Sequence, residues 1–412
     1  MLRPRLPVAW LGSLIAVGGL LTGCGVDDDN LSPADDYANY RNETSTNWSM
    51  SRGYPRNTAF NPFEQELAPD TAAGLQEIWH IDNTAPTLIQ HAEQIFTNTG
   101  QAYGTNSGTF QWAADSLPNP VFCKGLVFGT GTIVQGYQPA NGMPSPDTGI
   151  PAATQFGLPT AKDSSLIFAG VTDADEGLYF TYNVVSNELA TLTMPYRTLA
   201  PAALTANQIY APGLDSSSNY VVTATTFDQT VATKRKEWST VIDRIDPGLD
   251  PAAAAVPTLG VMVIGARVFG PSAAGDAVFA LDQRSGALIW RTAAIPQIVS
   301  LAASFDYVYA AGSDAEGQLV VQAFASGSGT SRFVVKLGSA RLTGQLAIGG
   351  GMLYLGTNAG ELVAIEAATG VVSKRLQLGG VVGDPLVTGG RVIAATGERI
   401  VALGLPPAPV TP

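Results

Sequence analysis

Cysteine, histidine and charged residues are all scarce in this chain. Its 412 residues include two cysteines and two histidines, and charged residues make up only 14%. The histidines, His80 and His91, are too few for a histidine-based metal or haem site, and no cysteine–histidine spacing typical of zinc is present. The sequence also lacks a glycine-rich phosphate loop and a Gly-x-Ser-x-Gly motif. These absences argue against several common classes of metalloenzyme, nucleotide-binding enzyme and hydrolase.

Basic residues are outnumbered by acidic residues, 22 to 34, which gives a formal net charge of −12 at pH 7. Nucleic-acid binding requires a basic surface, so this balance argues against a nucleic-acid partner. Glycine and proline are abundant instead, with 45 and 27 residues, and this is typical of short strands joined by turns. The composition therefore favours an all-β protein.

The N-terminus has the features of a secretory signal. Arg3 and Arg5 precede an uncharged apolar stretch from Val8 to Leu21, which is too short to span a bilayer comfortably. The sequence Leu-Thr-Gly-Cys that ends at Cys24 resembles the lipobox of bacterial lipoproteins. The resemblance implies cleavage before Cys24 and acylation of that cysteine, with palmitate among the acyl chains, so that lipid anchors the mature protein. An ordinary signal peptide that contains a cysteine is the alternative.

The residue after Cys24 bears on location. It is Gly25, whereas an aspartate there resembles an inner-membrane retention signal in Gram-negative envelopes. We therefore expect a protein anchored in the bacterial envelope, at the outer membrane facing the periplasm if the source is Gram-negative. Residues 25–40 are acidic and poor in apolar residues, which predicts a solvated tether.

A turn-and-strand pattern recurs about every 40 residues along the chain. A turn glycine, alternating apolar residues and a second turn ending in glycine occur together at Gly275–Gly286, Gly317–Gly329 and Gly360–Gly370. A repeat of this length holds four short antiparallel strands, which form one propeller blade. The stretch from Trp79 to Gly404 has room for eight such blades, and seven is the alternative.

Each repeat carries an aromatic or aliphatic residue in a strand, and these are Phe96, Phe128, Phe168, Tyr210, Val263, Tyr309, Tyr354 and Ile393. The last repeat has three strands before the chain reaches Pro406, so we predict that Leu75–Trp79 supplies its outer strand and closes the ring. The predicted fold is one eight-bladed β-propeller of four-stranded antiparallel blades over residues 61–405. A signal peptide over 1–23 and a lipidated N-terminus with tether and lead-in over 24–60 precede it, and a proline-rich tail over 406–412 follows.

The segment Ala280–Trp290 resembles the blade motif of the PQQ-like propeller superfamily, Ala-x-Asp-x-x-Thr-Gly-x-x-x-Trp. Ala364–Gly370 is similar but lacks the tryptophan, and Asn61–Glu64 resembles the lead-in of such proteins. In this motif the tryptophan packs over a turn of the neighbouring blade. Only Trp290 and Trp79 clearly occupy that place in the sequence, so the resemblance implies thinner packing between blades than is usual.

Two branches of the superfamily imply different functions. The quinone-dependent dehydrogenases have a calcium site, a catalytic aspartate and commonly two adjacent cysteines, whereas this chain is short and has no adjacent cysteines. The other branch contains non-catalytic lipoproteins such as the BamB-type outer-membrane assembly factors. We therefore expect no enzyme activity and no cofactor, but a lipid-anchored scaffold that binds envelope proteins, with the outer-membrane assembly machinery as a candidate, as a monomer or in a hetero-complex. A PQQ-dependent periplasmic oxidoreductase and a carbohydrate or small-ligand receptor are the alternatives.

One long departure from the repeat, Thr233–Pro257, is predicted to be an insertion. Loops on a rigid scaffold often carry function, and Trp and Arg are frequent in binding hot spots. The predicted partner contacts are the basic cluster and the tryptophan of this segment, Lys234, Arg235, Lys236 and Trp238. The alternatives are a solvated loop and a Trp238 side chain packed onto its blade.

Two further groups receive structural interpretations. Cys123 lies in an apolar stretch and is predicted to be a small buried residue in a strand. The acidic run Asp173–Glu176 precedes Gly177, at the place where the repeat puts a hairpin turn, so it favours a turn over a calcium site.

Overall fold

The computed structural model describes residues 49–406, apart from gaps at 51–52, 54–55, 132, 146–154, 172–176, 194–199, 206–207, 216, 218, 227–235 and 245–258. The predicted signal peptide, Cys24, the tether and most of the predicted tail therefore lie outside the described residues. Within the described residues, no helix is long and apolar enough to cross a membrane. A single 3₁₀ turn, Ala72–Gly74, is the only helical element in this part of the chain.

The described residues form eight sheets arranged as the blades of a propeller, which confirms the all-β, eight-bladed prediction. Two strands, β1 (Phe60–Asn61) and β2 (Gln76–Asp82), precede the blades in the chain. The first four blades contain, in chain order, β3 (Leu88–His91), β4 (Gln94–Thr97), β5 (Gln101–Gly104) and β6 (Phe110–Ala113); β7 (Val121–Cys123), β8 (Leu126–Thr130) and β9 (Val134–Tyr137); β10 (Gln155–Phe156), β11 (Thr160–Lys162), β12 (Ser165–Val171), β13 (Gly177–Asn183) and β14 (Glu188–Thr193); and β15 (Ala203–Leu204), β16 (Gln208–Leu214), β17 (Tyr220–Thr226) and β18 (Lys236–Asp243).

The last four blades follow in the same order from the axis outwards. They contain β19 (Met262–Ile264), β20 (Arg267–Pro271), β21 (Ala277–Asp282) and β22 (Leu288–Ala293); β23 (Gln297–Ala303), β24 (Tyr307–Ser313), β25 (Leu319–Ala325) and β26 (Ser331–Gly338); β27 (Ala347–Gly349), β28 (Met352–Gly356), β29 (Glu361–Glu366) and β30 (Val372–Gln377); and β31 (Leu386–Thr388), β32 (Arg391–Ala395) and β33 (Arg399–Gly404). The first strands of neighbouring blades contact each other around the whole ring, from β3 to β31 and back to β3.

Burial explains the strand patterns within a blade. The second and third strands pack against neighbouring blades on both faces, so they are continuous apolar runs such as Ala277–Asp282, in which only the last residue is partly exposed. Outer strands such as Ser331–Gly338 alternate between exposed and half-buried residues. The turns between first and second strands and between third and fourth strands lie at the same end of every blade. We call this end of the ring the proximal face and the opposite end the distal face.

The ring closes as predicted, because β2 supplies the outer strand of blade 8. It pairs antiparallel with β33, from Gln76 opposite Gly404 to Asp82 opposite Arg399. Blade 2 has three strands among the described residues. An isolated antiparallel bridge joins Tyr137, the last residue of its third strand, to Pro144.

Two details of the repeat were wrong in the sequence analysis. Val263 lies in the first strand of blade 5, and the aromatic position of this blade belongs to Phe269, which pairs with Met262 as Tyr309 pairs with Ala302. The predicted insertion Thr233–Pro257 is interrupted by β18, the outer strand of blade 4. Sequence alone missed this strand because the segments on both sides of it are long, polar or alanine-rich, and they hide the period.

Packing between blades is also more complete than the sequence predicted. Four tryptophans occupy the same register in their outer strands, each opposite an alanine of the third strand, and these are Trp79, Trp112, Trp238 and Trp290. Each lies over a turn glycine of the next blade, in order Gly108, Gly142, Gly286 and Gly329. Trp112 and Trp238 are therefore docking residues that the sequence did not predict. Trp112 has the spacing of the motif, but Gly104 stands at the motif's aspartate position, whereas Trp238 follows a longer connection from the third strand of its blade.

Candidate functional site: the strapped central channel

The segment just before the blades lies inside the ring. We call residues 56–67 the strap. β1, within the strap, pairs parallel to the inner edge of β27, with Phe60 opposite Ile348. Residues 56–59 and Asn61 are almost fully buried. Residues 56–59 of the predicted lead-in are thus part of the buried core of the propeller.

Backbone hydrogen bonds attach the strap, and Ser49 before it, to the equivalent residue of the first strand in several blades. The donors are N–H groups near the proximal end of first strands, and the acceptors are carbonyls of the N-terminal segment: Phe122 to Ser49 at 2.8 Å, Val263 to Arg56 at 3.0 Å, Ala303 to Thr58 at 3.0 Å and Ile348 to Ala59 at 2.8 Å. These bonds belong to blades 2, 5, 6 and 7. An inner strand edge would otherwise present unpaired backbone groups to the channel, so the segment satisfies groups that the ring leaves open.

Two asparagine side chains extend these attachments. The amide nitrogen of Asn57 donates to the carbonyl of Ala202 at 2.9 Å and lies 3.2 Å from that of Pro201, both in the chain that enters blade 4. The amide nitrogen of Asn61 donates to the carbonyl of Val387 in blade 8 at 2.8 Å. Together with the backbone bonds, the segment contacts blades 2, 4, 5, 6, 7 and 8.

A buried carboxylate fixes the end of the strap at the proximal face. One oxygen of Glu64 accepts the N–H groups of Glu66 and Leu67 at 2.9 and 3.1 Å. The other accepts the N–H of Gly390, in the first turn of blade 8, at 2.9 Å. Burial, and to a lesser extent the charge of Glu64, raises the pKa of the neighbouring Tyr354 hydroxyl. Glu64 therefore links the strap to the blade that closes the ring.

The acid and amide side chains of Asp384 and Gln345 lie where the chain enters blades 8 and 7 from the distal face. Here Asp384 accepts the N–H of Gln345 at 2.6 Å, and the Gln345 side-chain oxygen accepts the hydroxyl of Ser300 at 3.1 Å. These groups bind the first strands of blades 6, 7 and 8 to one another. Among the described residues, no three His, Cys, Asp or Glu side chains are grouped so that they could hold a metal ion.

The structure describes only two of the four residues predicted to contact a partner. Lys234 and Arg235 lie outside the described residues, as does Cys24. Lys236 is exposed at the proximal end of β18. Trp238 is half-buried, and its indole N–H donates to the carbonyl of Gln283 in blade 5 at 3.0 Å. The alternative interpretation of Trp238, packing onto a blade, is the arrangement observed, while its role as a partner contact stays a prediction.

The cysteine and the two histidines, which are the other candidate reactive side chains, lie in ordinary strand positions. Cys123 is buried in β7 as predicted, and burial raises the pKa of its thiol to about 12, with the Asp163 carboxylate adding to the shift. His80 is exposed in β2 and lies 2.6 Å from the Glu77 carboxylate. His91 stacks on Phe122 at the proximal mouth of the channel, and burial lowers its pKa. The acidic run Asp173–Glu176 lies outside the described residues, and β13 begins directly after it.

Comparison with known proteins supports the superfamily and leaves the branch open. A family model described as outer membrane protein assembly factor BamB matches residues 275–404. The structure of BamB from Moraxella catarrhalis is similar with a TM-score of 0.57 and 14% identity, over 82% of this chain and 99% of that one. No curated protein sequence matches the chain.

Two dehydrogenase structures are also similar. A europium-containing methanol dehydrogenase has a TM-score of 0.69 and 11% identity, over 90% of this chain and all of that one. Quinohemoprotein alcohol dehydrogenase from Comamonas testosteroni has a TM-score of 0.68 and 13% identity, over 93% and 84% of the two chains. Identities this low show a shared fold alone.

Proposed function

Because this chain is a β-propeller of the PQQ-like superfamily, we propose that it acts as a non-catalytic scaffold that binds other proteins. The observation that carries the proposal is the strap in the channel, where its carbonyls and side chains bind the first strands of most blades. A channel edge that is bound to the chain itself leaves the turns and the outer strands as the surfaces for partners. Loops and edges on a rigid ring suit recognition of other polypeptides.

The proposal includes a place in the cell. The lipobox-like sequence at Cys24 supports lipid anchoring, and two or more acyl chains would hold the protein stably at a membrane. The match of residues 275–404 to the BamB model supports an envelope location and envelope proteins as partners. The acidic surface argues for partners with neutral or basic contact surfaces.

The rival function is that of a PQQ-dependent oxidoreductase. Its support is the higher structural similarity to the two dehydrogenases than to BamB. Against it stand the side chains of Asp384 and Gln345, which bind neighbouring blades, and the lack of adjacent cysteines in the sequence. We derive no catalytic step from these residues.

Photo-crosslinking in cells tests the scaffold proposal. A photoreactive amino acid replaces Lys236 at the proximal end of β18 or Arg244 just beyond its distal end, in the full lipidated chain. These two exposed sites compare the two faces of one blade. We expect an envelope protein to be captured from at least one face. Capture of no protein from either face, with the fold intact, contradicts the proposal.

A titration with PQQ and Ca²⁺ tests the rival. Quinone binding would quench tryptophan fluorescence, and a dehydrogenase would support dye-linked oxidation of alcohols. We expect neither signal. Saturable quenching with dye reduction would assign the protein to the enzymatic branch instead.

A further inference from the structure

The outer strand of blade 3 differs from the other outer strands in its pairing. β14 pairs with β13 without interruption, from Glu188 opposite Asn183 to Thr193 opposite Leu178. A register shift interrupts the outer strand of every other blade whose outer strand is described, and these are blades 1, 4, 5, 6, 7 and 8. In each of them the extra residue comes directly before the position of the docking residue.

Such bulges protect an exposed edge. A bulge twists the strand and breaks the row of backbone groups that another strand would need, and charged side chains on an edge strand have the same effect. Four of the six bulged outer strands also carry lysine or arginine, among them Lys236, Arg291, Lys336 and Lys374. The sequence of β14, Glu-Leu-Ala-Thr-Leu-Thr, contains no lysine, arginine or proline, and its one charged residue, Glu188, is the first of the strand. Of the described outer strands, that of blade 3 therefore has no bulge, and no charge after its first residue.

The turn that leads into β14 is ordered and presents an apolar side chain. The side-chain oxygen of Asn183 accepts the N–H groups of Val185 and Ser186 at 2.9 and 3.1 Å, which holds the turn. Val185 at its tip is 68% exposed, more than any other large hydrophobic residue in the described part of the chain. Glu188 and Asp163 are exposed at the same proximal end of the blade and make it acidic.

We propose that the outer edge of blade 3, formed by Glu188–Thr193 and the turn Asn183–Asn187, binds an extended segment of a partner protein as an additional strand. This inference rests on the proposed scaffold function and gives it a site. The partner segment would alternate apolar and polar residues to suit a sheet edge, and it would carry a basic residue opposite the acidic end. No strand pairs with the outer side of β14 among the described residues.

Two observations support this kind of occupant. The ring already accepts a strand from a distant part of the chain at an outer edge, where β2 pairs antiparallel with β33. A second copy of the chain is disfavoured because each copy carries a formal charge of −12, so that two copies repel each other. A neutral or basic partner segment meets no such repulsion.

A binding measurement with a defined peptide tests the site. The probe is the labelled peptide Lys-Thr-Val-Thr-Val-Thr-Val-Lys, and its control is the same peptide with every backbone amide N-methylated. Fluorescence anisotropy with the full purified chain should show saturable binding of the first peptide only, because an N-methylated amide cannot donate to a strand edge. Equal binding of both peptides, or binding of neither, overturns the site.

Matched variants locate the binding. Leu192→Lys places a charge in β14, and Val334→Lys places the same charge at the equivalent register position of the bulged outer strand of blade 6. We expect Leu192→Lys to weaken peptide binding about tenfold and Val334→Lys to leave it within about twofold. Circular dichroism and urea unfolding verify that both variants fold. Equal effects of the two variants contradict the assignment to blade 3.

Crosslinking separates failure of this inference from failure of the scaffold function. A photoreactive residue at position 192 should capture a protein partner in cells. Capture from Lys236 or Arg244 but not from position 192 overturns the blade 3 site and leaves the scaffold function standing. Capture of a second copy at position 192 overturns the proposed occupant, and capture from none of the three positions overturns both proposals.

Discussion

At the seam between blades 5 and 6 the Trp290 indole donates to the carbonyl of Ser326 at 2.9 Å, whereas at the seam between blades 8 and 1 the buried indole nitrogen of Trp79 has no partner among the described residues. Thr292, two residues after Trp290, donates to the carbonyl of Gly329, but the corresponding Ile81 cannot donate. The Thr105 hydroxyl, in the turn under Trp79, also lacks a partner within the described residues. The seam formed by consecutive blades is thus complete, and the seam that closes the ring is not.

The difference shows that the closing blade depends on a second attachment. Blade 8 is joined to the strap by Asn61 and by the carboxylate of Glu64. A strand brought from the N-terminus closes the blade, and the preceding segment holds the first strand and first turn of the same blade. We infer that the strap stabilises the ring at the blade whose tryptophan docks without a hydrogen bond.

The largest difference in stability between the two seams is expected when their tryptophans, Trp290 and Trp79, are each replaced by alanine. Trp290→Ala should lower the free energy of unfolding by about 3–5 kcal/mol, because it removes a buried ring and leaves the Ser326 carbonyl unpaired. Trp79→Ala should cost about 2 kcal/mol, since its side chain is partly exposed and makes no hydrogen bond. Urea unfolding of both variants measures the contrast. Equal losses would show that the closing seam is as tightly docked as the internal one.

Removal of the Glu64 carboxylate tests the second attachment. Glu64→Ala leaves three backbone N–H groups without their acceptor and should lower the free energy of unfolding by about 3 kcal/mol. The matched control is Glu66→Ala, whose exposed side chain should matter by less than about 0.5 kcal/mol. Thermal unfolding at neutral pH compares the two variants. Similar melting temperatures would mean that the strap does not stabilise the ring.

Alanine substitutions at the turn glycines beneath Trp290 and Trp79 test how tightly each seam is packed. Gly329 has a φ of +68°, and an added Cβ would lie 2.6 Å from the Trp290 ring, while the same addition at Gly108, with φ of +66°, would lie 3.0 Å from Trp79. Gly329→Ala should therefore cost about 2–3 kcal/mol and Gly108→Ala about 1–2 kcal/mol, since both share the backbone strain but differ in crowding. Urea unfolding decides the order, and a larger loss at Gly108 would contradict the looser packing of the closing seam.

Replacement by phenylalanine isolates the hydrogen bond of each indole. Trp290→Phe keeps an aromatic ring and leaves the Ser326 carbonyl unpaired, so we expect a loss of about 1–2 kcal/mol. Trp79→Phe removes a buried donor that has no partner, so we expect a change near zero, within about 0.5 kcal/mol. A clear loss for Trp79→Phe would reveal an acceptor for its indole, such as an ordered water.

The architecture was readable from the sequence, while the attachments were not. Repeated turns such as Gln283–Gly286 and the paired ends of the chain predicted eight blades and their closure, because turn chemistry and strand period are local signals. The docking of Trp238 escaped because a longer connection before its strand changes the spacing without changing the fold, and that of Trp112 because its repeat has Gly104 in place of the motif's aspartate. In blade 1 the Ser-Gly pair that ends the turn at Gly108 was a signal that could have located the missing seam.

The strap shows the limit of local signals at the candidate site. Asn61–Glu64 resembled a lead-in, but the bonds of Asn57, Asn61 and Glu64 join residues more than 140 positions apart in the chain. The repeat pattern of the sequence does not indicate that a segment outside the repeats will bind the inner edges of strands in several blades. The regular pairing of β14 is likewise a property of backbone register, which composition does not reveal.

The smallest expected effect concerns Thr105 under the closing tryptophan. Thr105→Val replaces a buried hydroxyl without a partner by a methyl group of similar size, so stability should be unchanged or rise by up to about 1 kcal/mol. Thr292→Val at the internal seam removes a hydroxyl that donates to Gly329 and should cost about 1 kcal/mol. Opposite signs in urea unfolding would confirm that one seam is complete and the other is not. A loss at Thr105 equal to that at Thr292 would mean that the Thr105 hydroxyl and the Trp79 indole are bridged, most simply by water, and that the closing seam is completed by solvent.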